Sequence, residues 1–404
     1  MLNQGCRREQ ILMKIRSNGK MRVEKIASDF NVTTATIRSD LRFLEAQGFI
    51  TRFHGGAIIN PVLMKEEMTS SKQQNITQLI RNLTSGNEVT MDKQHKGVPT
   101  GKVCVLGSFN IDIVARVKRF PEKGETIVAI ENTLGPGGKG CNQALAVHCS
   151  DAHVHFVAKV GTDHFSQYAS DHFISSGLTS YTLYKTEEHG TGSAVIFVSE
   201  EDGENVIAIS PGANKTLTEN EINDAASELE DSNVLLLQLE NNIEAIAQMM
   251  TLAKEKGCKI ILNPAPYTKE IKPFLAMVDI ITPNRTEATQ LSGIDVNDLP
   301  SAKQAASIIS SWGIDIVIIT MGSEGVLLLQ NNTFTHIPAY PAVVTDTTGA
   351  GDAFNGAVAA ALANGKDVLN AVKYAAAFAS LAVEREGAAN MPTQEAALYR
   401  MGEM

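Results

Sequence analysis

The sequence predicts an α/β protein in which helices cover a mainly parallel β-sheet, preceded by a small basic helical unit. From about residue 102 onward, short Val/Ile/Leu runs alternate with longer stretches of helical periodicity, a pattern typical of parallel sheets. Residues 1–60 carry ten Lys and Arg against five Asp and Glu, although the whole chain has a net charge of −10. A basic head on an acidic body indicates that the head alone binds a polyanion.

Composition narrows the class of protein. The 404 residues are 43% hydrophobic and 20% charged, which is typical of globular domains and long enough for two or three of them. No apolar run approaches the ~18 residues of a membrane span, and the N-terminus lacks a signal-peptide pattern. The five cysteines form no C-x-x-C pair, which argues against a disulfide framework and a zinc site. We therefore expect a cytoplasmic protein.

The head is predicted to contain three short helices. Apolar residues recur at helical spacing over residues 8–17 and 23–30. A third helix starts at Thr33 or Thr34, either of which suits an N-cap. Its apolar face carries Ile37, Leu41 and Leu44.

The open side of the third helix is polar, and residues 49–57 follow it as a hairpin wing. T-I-R-x-D-L-R-x-L-E-x-x-G and R-x-H-G-G-A occur here, and the head resembles the winged helix-turn-helix of DeoR-family transcriptional regulators. That resemblance implies DNA binding, usually as a homodimer; a protein-docking module is the alternative. The donor side chains expected to contact DNA are Thr34, Thr36, Arg38, Ser39, Arg42 and, in the wing, Arg52.

Residues 59–100 are predicted to be a linker between the head, residues 1–58, and the body, residues 101–404. The segment is rich in Ser, Thr, Asn, Gln and Lys and ends in G-V-P-T-G, a composition typical of tethers. Weak periodicity allows one helix over residues 76–83.

Polar or glycine residues follow each of six predicted strands in the body. One such residue is usually only a turn former, but six in succession predict a single ligand-binding edge at the strand carboxyl ends. The strands and the residues after them are 103–106 with Gly107–Asp112, 156–160 with Gly161–Asp163, 234–239 with Glu240, 260–262 with Asn263, 280–282 with Asn284, and 316–319 with Thr320–Gly322.

The sequence D-T-T-G-A-G-D-A-F-N-G at 346–356 precedes an apolar helical run. Glycines before a helix leave backbone amides free to bind an anion, and the helix dipole adds positive potential. Asp352 lies in that potential and should stay ionised, able to accept a proton. An acid beside a phosphate-binding turn predicts phosphoryl transfer to a hydroxyl group; a plain N-cap is the alternative role of Asp352.

A second glycine cluster at 135–143 fits G-x-G-x-x-G only by spacing. A dinucleotide fingerprint should follow the first strand directly, whereas the polar segment 118–132 intervenes here. No G-x-x-x-x-G-K-[ST] loop occurs in the chain, so the sequence excludes a Walker-type nucleotide site.

Seven sequence motifs of the body occur in the same order as in a known protein family. They are G-S-F-N-I-D at 107–112, G-G-K-G-C-N-Q-A at 137–144, L-Q-L-E at 237–240, N-P-A-P at 263–266, T-P-N-R-T-E at 282–287, T-M-G-S-E-G at 320–325 and the 346–356 run. The body resembles the PfkB-type carbohydrate kinases, ribokinases among them, over about 300 residues. The resemblance implies a ribokinase-like three-layer sandwich with a small β lid from residues 125–132 and 193–209, which excludes water.

The same resemblance implies roles for matching residues. Asp352 would deprotonate the substrate alcohol, and the amides of Gly349, Ala350, Gly351 and Asp352 would stabilise charge on the transferred phosphoryl group. The sugar hydroxyls would be held by Asn110, Asp112, Gly138, Lys139, Asn142 and Glu240. ATP and Mg²⁺ would be held by Asn284, Glu287, Thr320, Gly322, Ser323, Gly325 and Gly351.

Family members of the ribokinase type also use a monovalent cation such as K⁺. The matching positions are Asp346, Thr348, Ala382, Arg385, Gly387 and Asn390. The last of these departs from the family pattern, in which a serine hydroxyl is a ligand. The run 387–392 is one residue short, and Asn390 is the nearest oxygen donor.

The resemblance implies ATP-dependent phosphorylation of D-ribose at O5, in a chain that also regulates transcription. Ribose is favoured over deoxyribose because Asn110, Asp112 and Glu240 would lose partners with a sugar lacking a hydroxyl. Another pentose or a nucleoside stays open as substrate. The alternative is a regulator whose kinase-like body only senses a sugar, but a sensor has no need of the base Asp352.

Overall fold

The structure is a computed structural model that describes residues 11, 14, 15, 20–30, 32–34, 36, 37, 40, 41, 44, 50–53, 56–59, 101–201 and 204–402. The chain divides into two compact units, Met1–Gly97 and Val98–Met404. The predicted linker helix at 76–83 lies outside the described residues. Within the described ranges, no helix has the length and hydrophobicity needed to cross a membrane.

The N-terminal unit combines a helix with a three-stranded antiparallel sheet of order β1-β3-β2. Helix α1 covers the predicted residues, and β2 and β3 form the predicted hairpin wing. Strand β1 was not predicted, because three residues are too few to show a periodicity. The elements are β1 (Lys20–Arg22), α1 (Val23–Phe30), β2 (Ile50–Phe53) and β3 (Gly56–Ile59).

Apolar residues from all three predicted helical segments build the core of this unit. Ile15, Ile26 and Leu41 are fully buried within it. The Thr36 amide donates to Thr33 Oγ1 at 3.2 Å, which identifies Thr33 as the residue that caps the third helical segment. Three residues expected to contact DNA (Arg38, Ser39 and Arg42) and the side chain of Arg52 lie outside the described part of the chain.

The C-terminal unit is built on a nine-stranded sheet of order β16-β15-β14-β13-β12-β11-β4-β7-β8. The strands from β14 to β8 are parallel, and β15 and β16 add an antiparallel edge. All six predicted strands are present, so the mainly parallel sheet is confirmed. The strands are β4 (Lys102–Leu106), β7 (His153–Gly161), β8 (Tyr181–Thr186), β11 (Val234–Leu237), β12 (Lys259–Leu262), β13 (Ile280–Ile281), β14 (Ile316–Thr320), β15 (Val326–Gln330) and β16 (Thr333–Ile337).

Helices cover both faces of this sheet and make three layers. Along β4, Val103 and Val105 face one core while Cys104 and Leu106 face the other, as the two-residue repeat of a strand requires. The first face carries α2 (Lys139–Cys149), α3 (His164–Ser175), α8 (Ala350–Ala363), α9 (Val368–Ala382) and α10 (Gln394–Met401). The second carries α4 (Glu219–Ala225), α5 (Ile243–Glu255), α6 (Arg285–Ser292) and α7 (Leu299–Ser310).

A separate four-stranded sheet of order β10-β9-β5-β6 forms the lid. The expected lid segments were partly wrong: residues 193–209 fall on β9 and β10, but only two residues of 125–132 lie in a strand. The inner strand β5 was missed because its residues do not alternate between buried and exposed: residues 112–116 are all partly buried, so the segment has no clear two-residue repeat. The strands are β5 (Asn110–Val117), β6 (Glu131–Gly137), β9 (Gly192–Ser199) and β10 (Asn205–Ser210).

Candidate active site

The glycine-rich turn before α8 sets the position of Asp352. Gly349 is the N-cap of α8 with φ of 78°, a conformation that favours glycine. A Cβ at Gly349 would lie 2.7 Å from Ala388 Cα, so the turn also packs too closely for a side chain. Asp352 is the third residue of the helix and is 6% exposed. The alternative role of Asp352 as a plain N-cap is therefore wrong.

Two amide side chains of α2 hold the Asp352 carboxylate. Asn142 Nδ2 donates to Oδ2 at 3.1 Å, and Gln143 Nε2 donates to Oδ1 at 3.0 Å. Helices α2 and α8 meet at Gly356, where a Cβ would lie 2.5 Å from the Gln143 carbonyl oxygen. This close approach brings the two amides within reach of the carboxylate.

The first turn of α8 offers open backbone amides. The Ala350 amide donates to Thr347 O at 3.2 Å, and the Ala353 amide donates to Gly349 O at 2.8 Å. Among the described residues, the amides of Gly351 and Asp352 have no acceptor, as is usual for the start of a helix. The anion-binding amides are thus fewer than the sequence suggested, because Ala350 is already bonded within the turn.

Strand β5 of the lid presents Asn110 and Asp112. Glycines face both side chains: a Cβ at Gly137 would lie 2.2 Å from Asp112 Oδ1, and a Cβ at Gly192 would lie 2.2 Å from Asn110 Oδ1. Asn214 Nδ2 donates to Asn110 Oδ1 at 2.8 Å. Since this bond uses the oxygen of Asn110, its Nδ2 group is left as the donor for a ligand.

The turn after β11 brings Glu240 to the start of α2. The Lys139 amide donates to Glu240 Oε2 at 3.1 Å, and the Ser108 hydroxyl donates to the same oxygen. Gly138, with φ of 91°, precedes the helix, and a Cβ there would lie 2.8 Å from the Asn110 amide nitrogen. The six residues expected to bind sugar therefore lie on neighbouring elements: β5, the start of α2 and the turn after β11.

Acidic side chains surround Lys139, and these charged groups shift one another's pKa values. Burial, followed by repulsion from Glu240 and Asp352, raises the pKa of Asp112 to about 7. Asp352 is the main cause of the raised pKa of Lys139, with Glu240 and Glu287 adding to it against the effect of burial. Burial also raises the pKa of Glu287. The site thus concentrates negative charge around one lysine, and binding a polyphosphate there requires further cations.

Two cavities meet at this site. The first, about 170 Å³, is polar and lies at the strand ends. The second, about 590 Å³, is mostly apolar and includes the predicted nucleotide residues Thr320, Gly322, Ser323 and Gly325. Both are lined by Thr320 and Gly351. The first is lined by Lys139, Asn263, Ala265, Thr282, Asn284, Glu287, Thr320, Gly349, Gly351, Asp352 and Asn355.

Asn284 and Glu287 form a capping box at the start of α6. Asn284 Oδ1 accepts from the Glu287 amide at 2.9 Å, and Glu287 Oε2 accepts from the Asn284 amide at 2.8 Å. Glu287 Oε1 also accepts from Asn284 Nδ2 at 3.0 Å. Within the described residues, no group of three His, Cys, Asp or Glu side chains could hold a metal ion. The donor set fits Mg²⁺ held through water and phosphate oxygens.

Asp346 joins the two segments expected to bind a monovalent cation. Its Oδ1 accepts from the Thr348 amide at 2.8 Å and its Oδ2 from the Gly387 amide at 3.0 Å. These bonds lower the pKa of Asp346, although burial opposes them. The remaining residues lie in the same segment: Ala382 O accepts from the Arg385 amide, and Asn390 Nδ2 donates to Glu386 O at 3.4 Å. The carbonyl-rich segment suits a weakly hydrated cation.

Sequence similarity agrees with this geometry. Residues 100–395 match the family model for pfkB family carbohydrate kinases. The chain belongs to this family. Residues 7–61 match a DeoR-like helix-turn-helix domain, so a sugar kinase of the PfkB family follows a DNA-binding type of domain in one chain.

Several relatives resemble the kinase part of this PfkB family member. A ribokinase of Haemophilus influenzae is 35% identical over 295 residues, which are 73% of this chain and 96% of the relative. A deoxyribokinase of Salmonella typhi is 34% identical, over 70% of this chain and 93% of the relative. The structure of Arabidopsis thaliana ribokinase complexed with ribose and ATP is 30% identical, with a TM-score of 0.68 over 75% of this chain and 99% of the other.

Some residues of this PfkB-family site were not singled out from the sequence. Ser108, Gln143, Gln238 and Asn263 lie inside the quoted motifs but contact Glu240, Asp352 or one another only through the fold; Asn263 was predicted at the binding edge, without its contact to Gln143. Asn214 lies outside every motif and reaches β5 across more than one hundred residues of sequence. Polar residues inside the motifs were an available signal for the first four; Asn214 had none.

Proposed function

We propose that this chain phosphorylates D-ribose at O5, using ATP to give D-ribose 5-phosphate and ADP, and that its N-terminal domain binds DNA. The observation that carries the kinase reaction is the Asp352 carboxylate, held by Asn142 and Gln143 beside the open amides of Gly351 and Asp352. A base next to an anion-binding helix start is the arrangement that phosphoryl transfer to an alcohol needs.

The sugar would lie between β5, the start of α2 and the turn of Glu240. Asn110, Asp112, Gly138, Lys139, Asn142 and Glu240 would hold its hydroxyls. Asp352 would take the proton from O5 as that oxygen bonds to the γ-phosphorus, and the bond from this phosphorus to the β–γ bridging oxygen would break. The amides of Gly349, Gly351 and Asp352 would stabilise the charge that develops on the phosphoryl oxygens.

ATP would occupy the larger cavity, with its phosphates directed to Gly351. Thr320, Gly322, Ser323 and Gly325 would line the adenosine side, which is mostly apolar. Asn284 and Glu287 would hold Mg²⁺ through water, and this ion would supply positive charge to the phosphates. The need for such charge follows from the acidic surroundings of Lys139.

A monovalent cation such as K⁺ would be held beside the glycine-rich turn. Asp346, Thr348, Ala382, Arg385 and Gly387 would supply mainly carbonyl oxygens, with Asn390 in place of the family's serine. Asp346 supports this proposal because its carboxylate accepts hydrogen bonds from the Thr348 amide of the turn and from the Gly387 amide. A cation there would hold the anion-binding turn in place.

The head would bind DNA through Thr34, Thr36, Arg38, Ser39, Arg42 and Arg52, with domain limits near 1–58, 59–100 and 101–404. Homodimerisation is supported by the lid, whose exposed face carries large apolar side chains, among them Leu134 and Val206. A regulator with an inactive body is disfavoured because the base, the sugar residues and the nucleotide cavity are all present. The expected cytoplasmic location stays a prediction.

A phosphorylation screen tests the kinase proposal. Purified full-length protein is assayed for ADP release with ATP and Mg²⁺ on ribose, 2-deoxyribose, other pentoses and nucleosides, with K⁺ or Na⁺ as the salt. Ribose should give the highest kcat/KM, and K⁺ should raise the rate. Turnover with deoxyribose or a nucleoside above that with ribose would reassign the substrate, and no turnover with any compound would favour the sensor.

A further inference from the structure

Gln143 is a buried amide whose whole hydrogen-bonding capacity serves other residues of the site. The side chain is 0% exposed. Its Nε2 donates to Asp352 Oδ1 at 3.0 Å and to Asn263 Oδ1 at 3.1 Å, which uses both of its N–H bonds. Its Oε1 accepts from Gln238 Nε2 at 2.7 Å. No donor is left for a ligand, so Gln143 acts on the site through the residues it bonds, Asp352 and Asn263.

The neighbours of Gln143 fix which way its amide points. Gln238, also 0% exposed, follows β11 and offers an N–H to Oε1. Asn263 follows β12 and offers its Oδ1, because its own Nδ2 donates to Thr282 O at 3.2 Å. A reversed Gln143 amide would place its oxygen against two acceptor oxygens and its NH₂ against another NH₂. Two strand ends therefore direct the Gln143 N–H at the Asp352 carboxylate.

We propose that Gln143, oriented by Gln238 and Asn263, is a positioning residue that fixes Oδ1 of the Asp352 carboxylate in the orientation in which it accepts the proton. This inference rests on the proposed role of Asp352 as the base. Hydrogen bonds from amide donors favour a carboxylate over a carboxylic acid. The second donor, Asn142, restrains Oδ2, so the two amides together determine the plane of the carboxylate that receives the proton.

Other charged groups face Asp352 and stay in place when Gln143 is changed. They are Asp112 on β5, Lys139 on α2 and Glu287 on α6. Glu240 acts on both Asp112 and Lys139. The side chain of Gln143 bonds only to Asp352, Asn263 and Gln238 among the described residues. A change in the behaviour of Asp352 on substitution of Gln143 therefore reports the lost donor.

Substitution Gln143→Met tests the inference, since methionine keeps the approximate volume and has no N–H. We expect kcat to fall about tenfold while the KM for the sugar stays within about twofold, because Gln143 does not touch the substrate. The acidic limb of the pH profile of kcat should move up by about one pH unit, because the carboxylate loses a donor. Gln143→Glu places a second carboxylate against Asp352 and should move that limb further in the same direction.

The matched control is Asn364→Ala, which removes an amide at the opposite end of α8. Asn364 bonds the Gly101 amide and the Asp151 carbonyl. If the role of Gln143 were purely structural, Gln143→Met and Asn364→Ala would both keep the wild-type pH profile of kcat and would only have a lower melting temperature. An unmoved acidic limb with unchanged kcat in both Gln143 variants would overturn the inference.

A measurement without turnover separates this inference from the proposed kinase activity. The ¹³C carboxyl resonance of Asp352, assigned with Asp352→Asn, is followed against pH in the wild type and in both Gln143 variants. Its titration midpoint should rise in each variant, and midpoints equal to that of the wild type would refute the inference. A wild type that phosphorylates no sugar would refute the kinase proposal, and the NMR comparison would still decide the role of Gln143.

Discussion

At the scale of single residues, the environment gives neighbouring carboxylates different roles. Burial moves Asp112 and Glu287 toward their neutral forms. The Asp352 carboxylate accepts from two side-chain amides and lies in the first turn of α8. Carboxyl groups whose surroundings differ in this way are divided between acid, base and binding roles in enzymes. Asp352 is therefore the residue whose substitution should affect the chemical step.

Asp352→Asn should lower kcat by about a thousandfold while sugar binding persists, because an amide of the same shape cannot accept the proton. A coupled assay of ADP release measures kcat, and calorimetric titration with sugar measures binding. Asp367→Asn is the matched control, since Asp367 caps α9 and asparagine also suits that position. Turnover of Asp352→Asn at the wild-type rate would remove Asp352 from the role of base.

Asp112→Asn should stabilise the free protein at alkaline pH and weaken sugar binding. Between its ordinary pKa of 3.8 and the raised pKa of about 7, the folded state keeps a proton that the unfolded chain has released. Stability therefore falls as pH rises through this window. The asparagine variant lacks this loss, so its free energy of unfolding should exceed that of the wild type at pH 8, by roughly 1.4 kcal/mol for each pH unit of the window.

Urea unfolding at pH 5 and pH 8 checks the prediction for Asp112. The difference in free energy of unfolding between the Asp112→Asn variant and the wild type should increase with pH. Asp315→Asn, at an exposed position, controls for the loss of one negative charge. A gap of equal size at both pH values would show that the burial of Asp112 does not govern the pH dependence.

At the scale of elements, the start of α8 brings two requirements together. In the proposed reaction the helix presents open amides to a phosphoryl group, and in the structure the preceding turn passes close to residue 388. Glycine at 349 meets both requirements, since its φ of 78° disfavours a side chain and the 2.7 Å approach to Ala388 leaves no room for one. The position of the anion-binding amides thus depends on one residue of the turn.

Gly349→Ala should lower kcat by at least about a hundredfold, because relief of the clash with Ala388 moves the amides away from the phosphoryl group. Gly365→Ala is the matched control, because Gly365 also has a positive φ of 82° but no atom lies within 4 Å of the added Cβ. That variant should lose roughly 1 kcal/mol of stability and keep its activity. Steady-state kinetics measures the activity of both variants, and thermal unfolding measures their stability. Equal kcat values for Gly349→Ala and Gly365→Ala would contradict the prediction.

At the scale of the whole molecule, the two domains carry opposite net charge. The basic residues of the head suit a polyanion, whereas the kinase part carries the negative balance, and the anion contacts proposed for it are made by backbone amides. Phosphate contacts by Lys and Arg make DNA binding strongly dependent on salt. Neither the sequence nor the structure of each unit requires the two activities to be coupled.

Replacing Arg38 and Arg42 together with Ala should weaken binding to operator DNA by about tenfold or more and reduce the slope of log K against log salt by about two. Fluorescence anisotropy at several salt concentrations measures both quantities. The control is Lys254→Ala with Lys256→Ala, which removes two exposed charges of the kinase part that pair with Asp279 and Glu230. Equal affinities for the two double variants would count against the predicted recognition helix.

The sequence by itself determined the layered α/β fold, the six strand ends of the binding edge, the wing hairpin and the glycine-rich turn of Asp352. Periodicity, turn residues and motif order are local properties, so they can be read along the chain. Only the tertiary structure decided that β5 is the centre of the lid, that Asn214 orients Asn110, and that Gln143, Gln238 and Asn263 form one bonded group behind Asp352. These features join residues distant in sequence, and their hydrogen bonds exist only once the strands and helices have packed.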